Sequence, residues 1–412
     1  MMSERLLLIT GNYSPEPTGI GKYNGEMMQW LAERGYDCTV LTTYPYYPHW
    51  QIQPPYTQLG RWYKKEVQQG VTVYRCPQYI PAAPSGMKRI LMDASFFMAA
   101  FFRLFTLLFT AKFDVVMVVV PPFHLGFLGL LYKWIRGTRL LYHIQDLQIE
   151  AARDLQMIRS QWLINTLFRM ERFILHRADI VSSISEGMMK KIAAKSGREI
   201  FFFPNWVAVS YFFPINERRQ LKTDFGFRAE DKVILYSGAI GEKQGLESIL
   251  EVALAMQDDA RLKFLICGAG PYKTTLENKA RIMSLQNVFF YPTQPSSHFN
   301  RFLNMADIHL VIQKANAADL VMPSKLTTIL AVEGLALITA NEGTSLYELV
   351  RTHEIGIVIQ AENQQALYEG LLQAVNEDSG HITSRAGDYA RNFLAIDSIM
   401  TSFEQGALKA SR

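Results

Sequence analysis

Tyr236-Ser237-Gly238-Ala239-Ile240-Gly241-Glu242-Lys243-Gln244-Gly245 stands near the middle of the chain, directly after the apolar run Val233-Ile234-Leu235. A short apolar run that gives way to small residues and then a lysine reads as a buried strand, a turn and a helix start. In such a turn, backbone N–H groups and the helix N-terminus are free to face an anion, and Lys243 adds a positive charge. Further on, a second apolar run ends in Cys267-Gly268-Ala269-Gly270-Pro271. A third turn reads Met322-Pro323-Ser324-Lys325-Leu326, with Pro323 where a helix opens. Two glycine turns and a helix-opening Pro-Ser-Lys, all in one half of the chain, point to a nucleotide-sugar site.

Outward from that stretch, strand-like and helix-like runs alternate almost throughout. Strands are expected at Leu6–Thr10, Cys38–Thr42, Val71–Arg75, Val115–Val120, Leu140–Ile144, Ile180–Ser183 and Ile200–Phe203. A second series is expected at Val233–Tyr236, Leu262–Cys267, Val288–Tyr291, Ile308–Ile312, Leu337–Ala340 and Ile357–Ile359. Helical patterns such as Gly21–Glu33 and Trp162–His176 lie between them. Such alternation predicts α/β architecture with parallel sheets covered by helices on both faces, and its two series predict two doubly wound domains. The length of 412 residues also exceeds one ordinary core. The first domain is expected over 1–210 and the second over 211–393. A last helix, Leu394–Leu408, is expected to carry residues 394–412 back onto the first domain.

Composition narrows the class. The three cysteines, Cys38, Cys76 and Cys267, are far apart, so they propose neither a disulfide framework nor a metal site and fit a reducing cytoplasm. Leu6-Leu7-Leu8-Ile9 is too short for a signal-peptide core and reads as the first strand. The net charge of +4 is uneven. Lys88 to Arg198 holds 16 Lys and Arg against 8 Asp and Glu, which is +8 and leaves −4 for the rest. No basic cluster is dense enough for nucleic acid. A basic segment beside apolar surface instead predicts peripheral contact with an anionic membrane, balanced by the reading that these are solvated helix faces. The Phe-rich helix Ile90–Phe113 is interrupted by Asp93 and Arg103 and so falls short of a spanning segment. It reads as a buried helix or as one lying in the bilayer interface, with Lys88, Arg89, Arg103 and Lys112 near headgroups.

Other residues at expected strand ends carry chemistry. Gly11-Asn12-Tyr13-Ser14-Pro15-Glu16-Pro17-Thr18-Gly19-Ile20-Gly21-Lys22 follows the first strand and opens a helix. Gly19, Ile20, Gly21 and Lys22 could form an acceptor or phosphate loop, or simply a tight turn. His143, in Tyr142-His143-Ile144-Gln145-Asp146, ends a strand on the side where such sheets bind ligands. Ser183-Ile184-Ser185-Glu186 reads as a helix cap near that side. Gly268-Ala269-Gly270 lacks the third glycine of a dinucleotide fingerprint, since position 273 is Lys273, so a dehydrogenase is disfavoured. Asp319, just before the Pro-Ser-Lys turn, could accept hydrogen bonds from sugar hydroxyls or be a surface acid.

In this order the motifs resemble the family 4 retaining glycosyltransferases, which have the GT-B fold, over nearly the whole chain. The resemblance rests on the N-terminal glycine loop, His-x-Gln-Asp, Phe203-Pro204-Asn205, the Glu-Lys-Gln-Gly loop, Cys-Gly-x-Gly-Pro and Pro-Ser-Lys-Leu. It is nearer to the colanic-acid biosynthesis branch, which includes a fucosyltransferase. The resemblance implies two Rossmann-like domains facing a central cleft, whose closure would exclude water. It implies a nucleotide diphosphate sugar on the second domain, GDP-fucose being favoured. The acceptor would be a polyprenyl-diphosphate-linked sugar, at the inner face of the cytoplasmic membrane. Lys243 and His143 would be catalytic. Gly238, Gly241, Lys243, Gly268, Gly270, Asp319, Ser324, Lys325 and Leu326 would hold the donor, with no metal and no other cofactor. Two positions depart from the family pattern. Ala239 stands where many members carry arginine or asparagine, and Thr328 stands where many carry the second of two glutamates. Those departures leave room for a non-catalytic nucleotide-sugar-binding subunit. A nucleotide-sugar epimerase on the same fold is a further alternative.

Overall fold

The computed structural model describes residues 3–16, 19–46, 49–57, 62–82, 86–154, 158, 160–314 and 323–409. The chain divides into two units: residues up to Pro204 together with those from Met400 onward, and Asn205–Ile399.

In the first unit the strands are β1 (Arg5–Thr10), β2 (Asp37–Thr43), β3 (Lys64–Gln68), β4 (Val71–Cys76), β5 (Val115–Val120), β6 (Arg139–Ile144), β7 (Ile180–Ser183) and β8 (Phe201–Phe202). They form one sheet in the order β3-β4-β2-β1-β5-β6-β7-β8. All pairs are parallel except β3 with β4. Every residue of β5 is buried, as expected for a Val-rich central strand covered on both faces. Each such valine contributes roughly 1.5–3 kcal/mol by leaving water. β3, Lys-Lys-Glu-Val-Gln, was not foreseen: it is a polar edge strand, half exposed, with no apolar run to mark it.

In the second unit, β9 (Lys232–Ser237), β10 (Leu262–Cys267), β11 (Val288–Tyr291), β12 (Ile308–Val311), β13 (Leu335–Thr339) and β14 (Ile357–Ile359) form a wholly parallel sheet. Its order is β11-β10-β9-β12-β13-β14. Both sheets reverse their winding once, between β1 and β5 and between β9 and β12. In doubly wound sheets, ligands bind outside the carboxyl ends of the strands at such a reversal.

The change of unit falls at Pro204, ahead of the expected 210. Val207 is fully buried in the second core and donates its N–H to Leu394 O at 2.8 Å. Its bridge to Ala395 interrupts the expected last helix, which resumes as Ile396–Phe403. Residues from Met400 are tied into the first unit. Phe403 stacks on Phe203 with ring centroids 4.1 Å apart, Tyr36 Oη donates to Glu404 at 2.8 Å, and Arg139 donates to Leu408 O at 2.8 Å.

The Phe-rich helix runs from Gly86 to Leu107. It is long and apolar enough to cross a membrane. Yet Phe96, Ala100 and Leu104 are buried in the first unit, so it is packed on the sheet. Of its expected headgroup cations, Arg103 instead lies 3.9 Å over the Tyr74 ring, with a buried Nε. Arg89 sits 4.9 Å over Trp50, and Lys112 Nζ donates to Gly137 O at 2.7 Å.

Candidate functional site

At the carboxyl end of β9, the loop Gly238–Gly241 is laid against the loop after β10 by main-chain bonds. Gly238 N–H donates to Cys267 O and Ile240 N–H to Ala269 O, each at 3.0 Å. The two loops come so close that a Cβ on Gly268 would sit 1.9 Å from Gly238 O, and one on Gly270 2.0 Å from Ile240 O. The Gly-x-Gly pair that hints at a dinucleotide site therefore serves loop-to-loop approach. The expected helix after the β9 loop is first a 3-10 turn, Glu242–Gln244, which carries Lys243. The helix proper is Glu247–Ala255.

Beyond β12 and the residues outside the description, Asp319 and Met322 among them, the chain resumes at Pro323 and enters the helix Ser324–Ala331. Ser324 is exposed at its start. Leu326 is fully buried in the second core, and its N–H is held by Pro323 O at 2.9 Å, so its side chain contributes packing only. Lys325 turns the other way. Its Nζ lies 3.7 Å from the centre of the Tyr236 ring, and a Cβ on Gly238 would meet it at 2.8 Å. The Tyr236 hydroxyl is occupied by Ala239 O at 2.8 Å, so the ammonium meets the ring face alone. Burial pushes Lys325 down to about 7, with no neighbouring charge contributing. A cation held beside a glycine loop, without an acid partner among the described residues, is suited to a phosphate oxygen.

Two further lysines reach the same strand ends and were not singled out from the sequence. Lys273, first residue of the helix Lys273–Ile282, directs Nζ toward Tyr291 O at 3.3 Å. Lys314 is exposed just past β12, and its side chain lies 3.5 Å from where a Cβ of Gly245 would be. The clue was available: each lysine follows a strand run within a few residues. Only the strand order shows that they converge.

The loop after β1 is built differently. Glu16 is buried, and its carboxylate accepts from Asn12 Nδ2 at 2.9 Å and from the Tyr46 N–H at 3.2 Å. A Cβ on Gly21 would meet Glu16 Oε2 at 2.6 Å. Gly21, at the start of the helix Gly19–Glu33, is thus required by the chain's own carboxylate. Asn24 Nδ2 bonds Thr10 Oγ1 and Asn12 O, both at 2.9 Å, and fixes the loop from inside the helix. Gly19 has φ 62° with open space around it, and Ile20 is half-buried. Lys22 is paired with Glu26 at 3.5 Å.

His143, in β6, is buried. Its Nδ1 lies 2.9 Å from Ser182 Oγ, and its ring packs edge-on against Phe203 at 5.1 Å. Burial pushes it down to about 3, so the imidazole is neutral at working pH. Ser185 caps the helix Glu186–Ser196 by accepting from Met188 N–H at 3.3 Å, and Ser183 Oγ donates to Ile144 O at 2.9 Å.

Comparison with known proteins supplies the family. Residues 18–206 match the family described as Glycosyl transferase 4-like domain, and residues 217–393 match Glycosyl transferases group 1. The chain belongs to the family 4 glycosyltransferases. One relative of this glycosyltransferase is WcaI of Escherichia coli (strain K12), whose name provisionally assigns it to glycosyl transfer in colanic acid biosynthesis. The two are 38% identical over 407 residues, covering 97% of this chain and 98% of WcaI. Among solved structures, sucrose-phosphate synthase from Thermosynechococcus elongatus aligns with TM-score 0.75 and 14% identity, over 98% of each chain. Anabaena HepE in complex with UDP and glucose aligns with TM-score 0.72 and 13% identity, over 98% of this glycosyltransferase and 99% of HepE. These likenesses show the GT-B fold.

Proposed function

We propose that this glycosyltransferase moves a sugar, with retention at the anomeric carbon, from a nucleotide diphosphate sugar to a polyprenyl-diphosphate-linked sugar. The product would serve extracellular polysaccharide assembly of the colanic-acid type, and GDP-fucose is the favoured donor. One observation carries the donor half: the Lys325 ammonium lies against the Gly238 loop with no charged neighbour among the described residues. HepE, a protein of the same fold, is described in complex with UDP and with UDP-glucose, which supports a nucleotide-sugar donor.

The acceptor hydroxyl oxygen bonds to the anomeric carbon on the face from which the diphosphate departs. The bond from that carbon to the diphosphate oxygen breaks, and the acceptor proton passes to the departing phosphate oxygen. Negative charge grows on the diphosphate during this step. Lys325, Lys243 and the N–H groups at the start of the helix Ser324–Ala331 hold it in place of a divalent cation. His143 acts as a positioning residue: its neutral ring sets the end of β6, where Gln145 and Asp146 follow. The Gly19–Lys22 turn contacts the acceptor. A lipid-linked acceptor would bring the protein peripherally to the inner face of the cytoplasmic membrane.

The test is a thermal-shift panel of nucleoside diphosphates and their sugars with EDTA present, followed by transfer into a lipid extract. Stabilisation by GDP and GDP-fucose, with transfer, is expected. Stabilisation by UDP species instead would replace the sugar and keep the reaction class. Donor binding without transfer to any extract would favour a non-catalytic donor-binding subunit. That second reading draws on Ala239 and on Thr328, whose hydroxyl is turned back onto Lys325 O at 2.9 Å.

A further inference from the structure

Asp93, the acid that interrupts the Phe-rich helix, has no part in the reaction as described so far. It lies one turn after Arg89 and one turn before Phe97, and the three share a side of the helix Gly86–Leu107. That side meets the carboxyl end of the first sheet. Phe97 packs on His124 of the turn after β5, with ring centroids 5.4 Å apart. Gln148, which opens the helix after β6, hydrogen-bonds the Asp93 carboxyl, and its own Oε1 accepts from the Phe123 N–H at 3.3 Å. Trp50, beyond β2, packs against the Arg89 guanidinium at 4.9 Å and the Tyr46 ring at 5.9 Å. Segments that follow β2, β5 and β6 thus gather around Asp93, beside the reversal between β1 and β5 where such sheets take ligands.

The chemistry gathered there suits a neutral ligand rich in hydroxyls. Burial pushes Asp93 up to about 6, and the Gln148 hydrogen bond and the Arg89 charge offset it only in part. A carboxylate offers about four lone-pair sites, so this one has room for further donors. Trp50 is half-buried and has φ 54°, a left-handed conformation that a bulky residue adopts only where its surroundings hold it. Glu16 and Asp93 both act on the Tyr46 hydroxyl, which burial and then these two charges push up. Two carboxylates against the one guanidinium of Arg89 make a poor seat for a phosphate. A sugar meets all of these terms: its hydroxyls donate to a carboxylate, and its apolar face covers an aromatic ring.

We propose that Asp93 is a specificity-determining residue for the acceptor: its carboxylate accepts hydroxyl hydrogens of the acceptor's terminal sugar, whose apolar face rests on the Trp50 ring braced by Arg89. This rests on the acceptor half of the reading above and supplies the sugar's site in the first unit.

The experiment follows transfer of labelled sugar, from the donor that stabilises the protein, into a lipid extract at increasing extract concentration. Asp93→Asn should raise the extract concentration for half-maximal rate by about 10- to 100-fold, the usual worth of a hydrogen bond to a charged group. It should leave kcat and donor stabilisation unchanged, because the lost contact is made equally before and during transfer. Asp93→Glu should recover part of the loss, and Trp50→Leu should show a smaller loss of the same kind. The melting temperature separates recognition from structure. A carboxyl held at about 6 destabilises the folded state once ionised, so Asp93→Asn should melt at or above the wild-type temperature at pH 7. A lower melting temperature, or a fall in kcat with half-saturation unchanged, would overturn the proposal.

A second arm needs no transfer. Saturation-transfer NMR of the full chain with the methyl glycosides of fucose, galactose and glucose should show binding by wild type that Asp93→Asn loses. If wild type transfers nothing but this binding is seen, the transferase reading fails and the sugar site stands. If transfer proceeds and Asp93→Asn behaves as wild type in both arms, the site fails and the transferase stands. Absence of both transfer and glycoside binding sinks the two together. If inorganic diphosphate raises the melting temperature more in Asp93→Asn than in wild type, and no glycoside binds, the place holds an anion and the sugar assignment is wrong.

Discussion

The two units share a plan, a parallel sheet whose winding reverses once, but they finish the strand ends beside that reversal in opposite ways. After β1, the chain fills the helix start with its own acid: Glu16 sits against Gly21 and is held by Asn12 and the Tyr46 amide. After β9, main-chain bonds close the loop, and Lys325 is left over the Tyr236 ring with no acid beside it among the described residues. A helix N-terminus already facing a carboxylate is a poor second home for phosphate, whereas an unpartnered ammonium is a good one. The same topology thus yields an acid-filled, hydrogen-bonded end in one unit and an anion-seeking end in the other. That contrast is the physical reason for assigning the diphosphate to the second.

The largest effect that could break the contrast is on turnover. Lys325→Ala should lower kcat by about 100- to 1,000-fold, the usual loss for one preorganised charge-stabilising group. Glu16→Gln should leave donor affinity unchanged, as read by calorimetry with the nucleoside diphosphate. If Glu16→Gln weakened the donor and Lys325→Ala did not, the assignment would be reversed.

Next comes stability. Gly268→Ala places a methyl 1.9 Å from Gly238 O, a backbone atom that cannot swing aside. It should cost at least about 1–3 kcal/mol in urea unfolding and abolish donor stabilisation. Gly19→Ala meets open space and bears only its left-handed φ, so it should cost about 1 kcal/mol and spare the donor. Equal costs would mean that the two loops are not built on different principles.

The smallest effect is on pH dependence. Lys325 has an ordinary value of 10.5 and is pushed down to about 7 by burial. Between those values the unfolded chain holds the proton and the folded chain does not, so this group makes the unliganded protein more stable as pH rises from 7 toward 10.5. Below 7 the folded state carries the full burden of a buried ammonium. Lys325→Met should therefore raise the melting temperature of the unliganded protein at neutral and mildly acidic pH, and the gain should shrink at pH 9 and above. Donor affinity should move the other way in wild type, weakening above pH 7 by at most about tenfold per unit. A flat affinity profile through this range would show that Lys325 does not meet the diphosphate as an ammonium.

Much of the fold was legible because fully covered parallel strands are written as unbroken apolar runs. Val115–Val120 was read to the residue, and β9 to within one residue at each end. What was missed lacked that signal. β3 is polar because it lies at an edge, and the interruption at Ala395 depends on Val207, far away in sequence. The site was legible as loops and less so as side chains. Gly238 and Lys325 were named separately, and the fold brings them together. The direction taken by Leu326, Arg103 and His143 depends on which helix face or strand side meets the core. Periodicity alone left that open for a helix as apolar as Gly86–Leu107 and for a six-residue strand. Lys273 and Lys314 escaped notice because single lysines after strands become a group only once the strand order is known.

The return of the chain at Met400 bears on how the molecule is made. Phe403, Glu404 and Leu408 complete the packing around Phe203, Tyr36 and Arg139, yet they are synthesised some two hundred residues after Pro204. At ordinary elongation rates that is a delay of about 10–40 s. For that interval the nascent first unit has the Phe203 ring uncovered, while the second unit, continuous from Asn205 to Ile399, has everything it needs. The half of the protein that is translated first is therefore the half that finishes folding last.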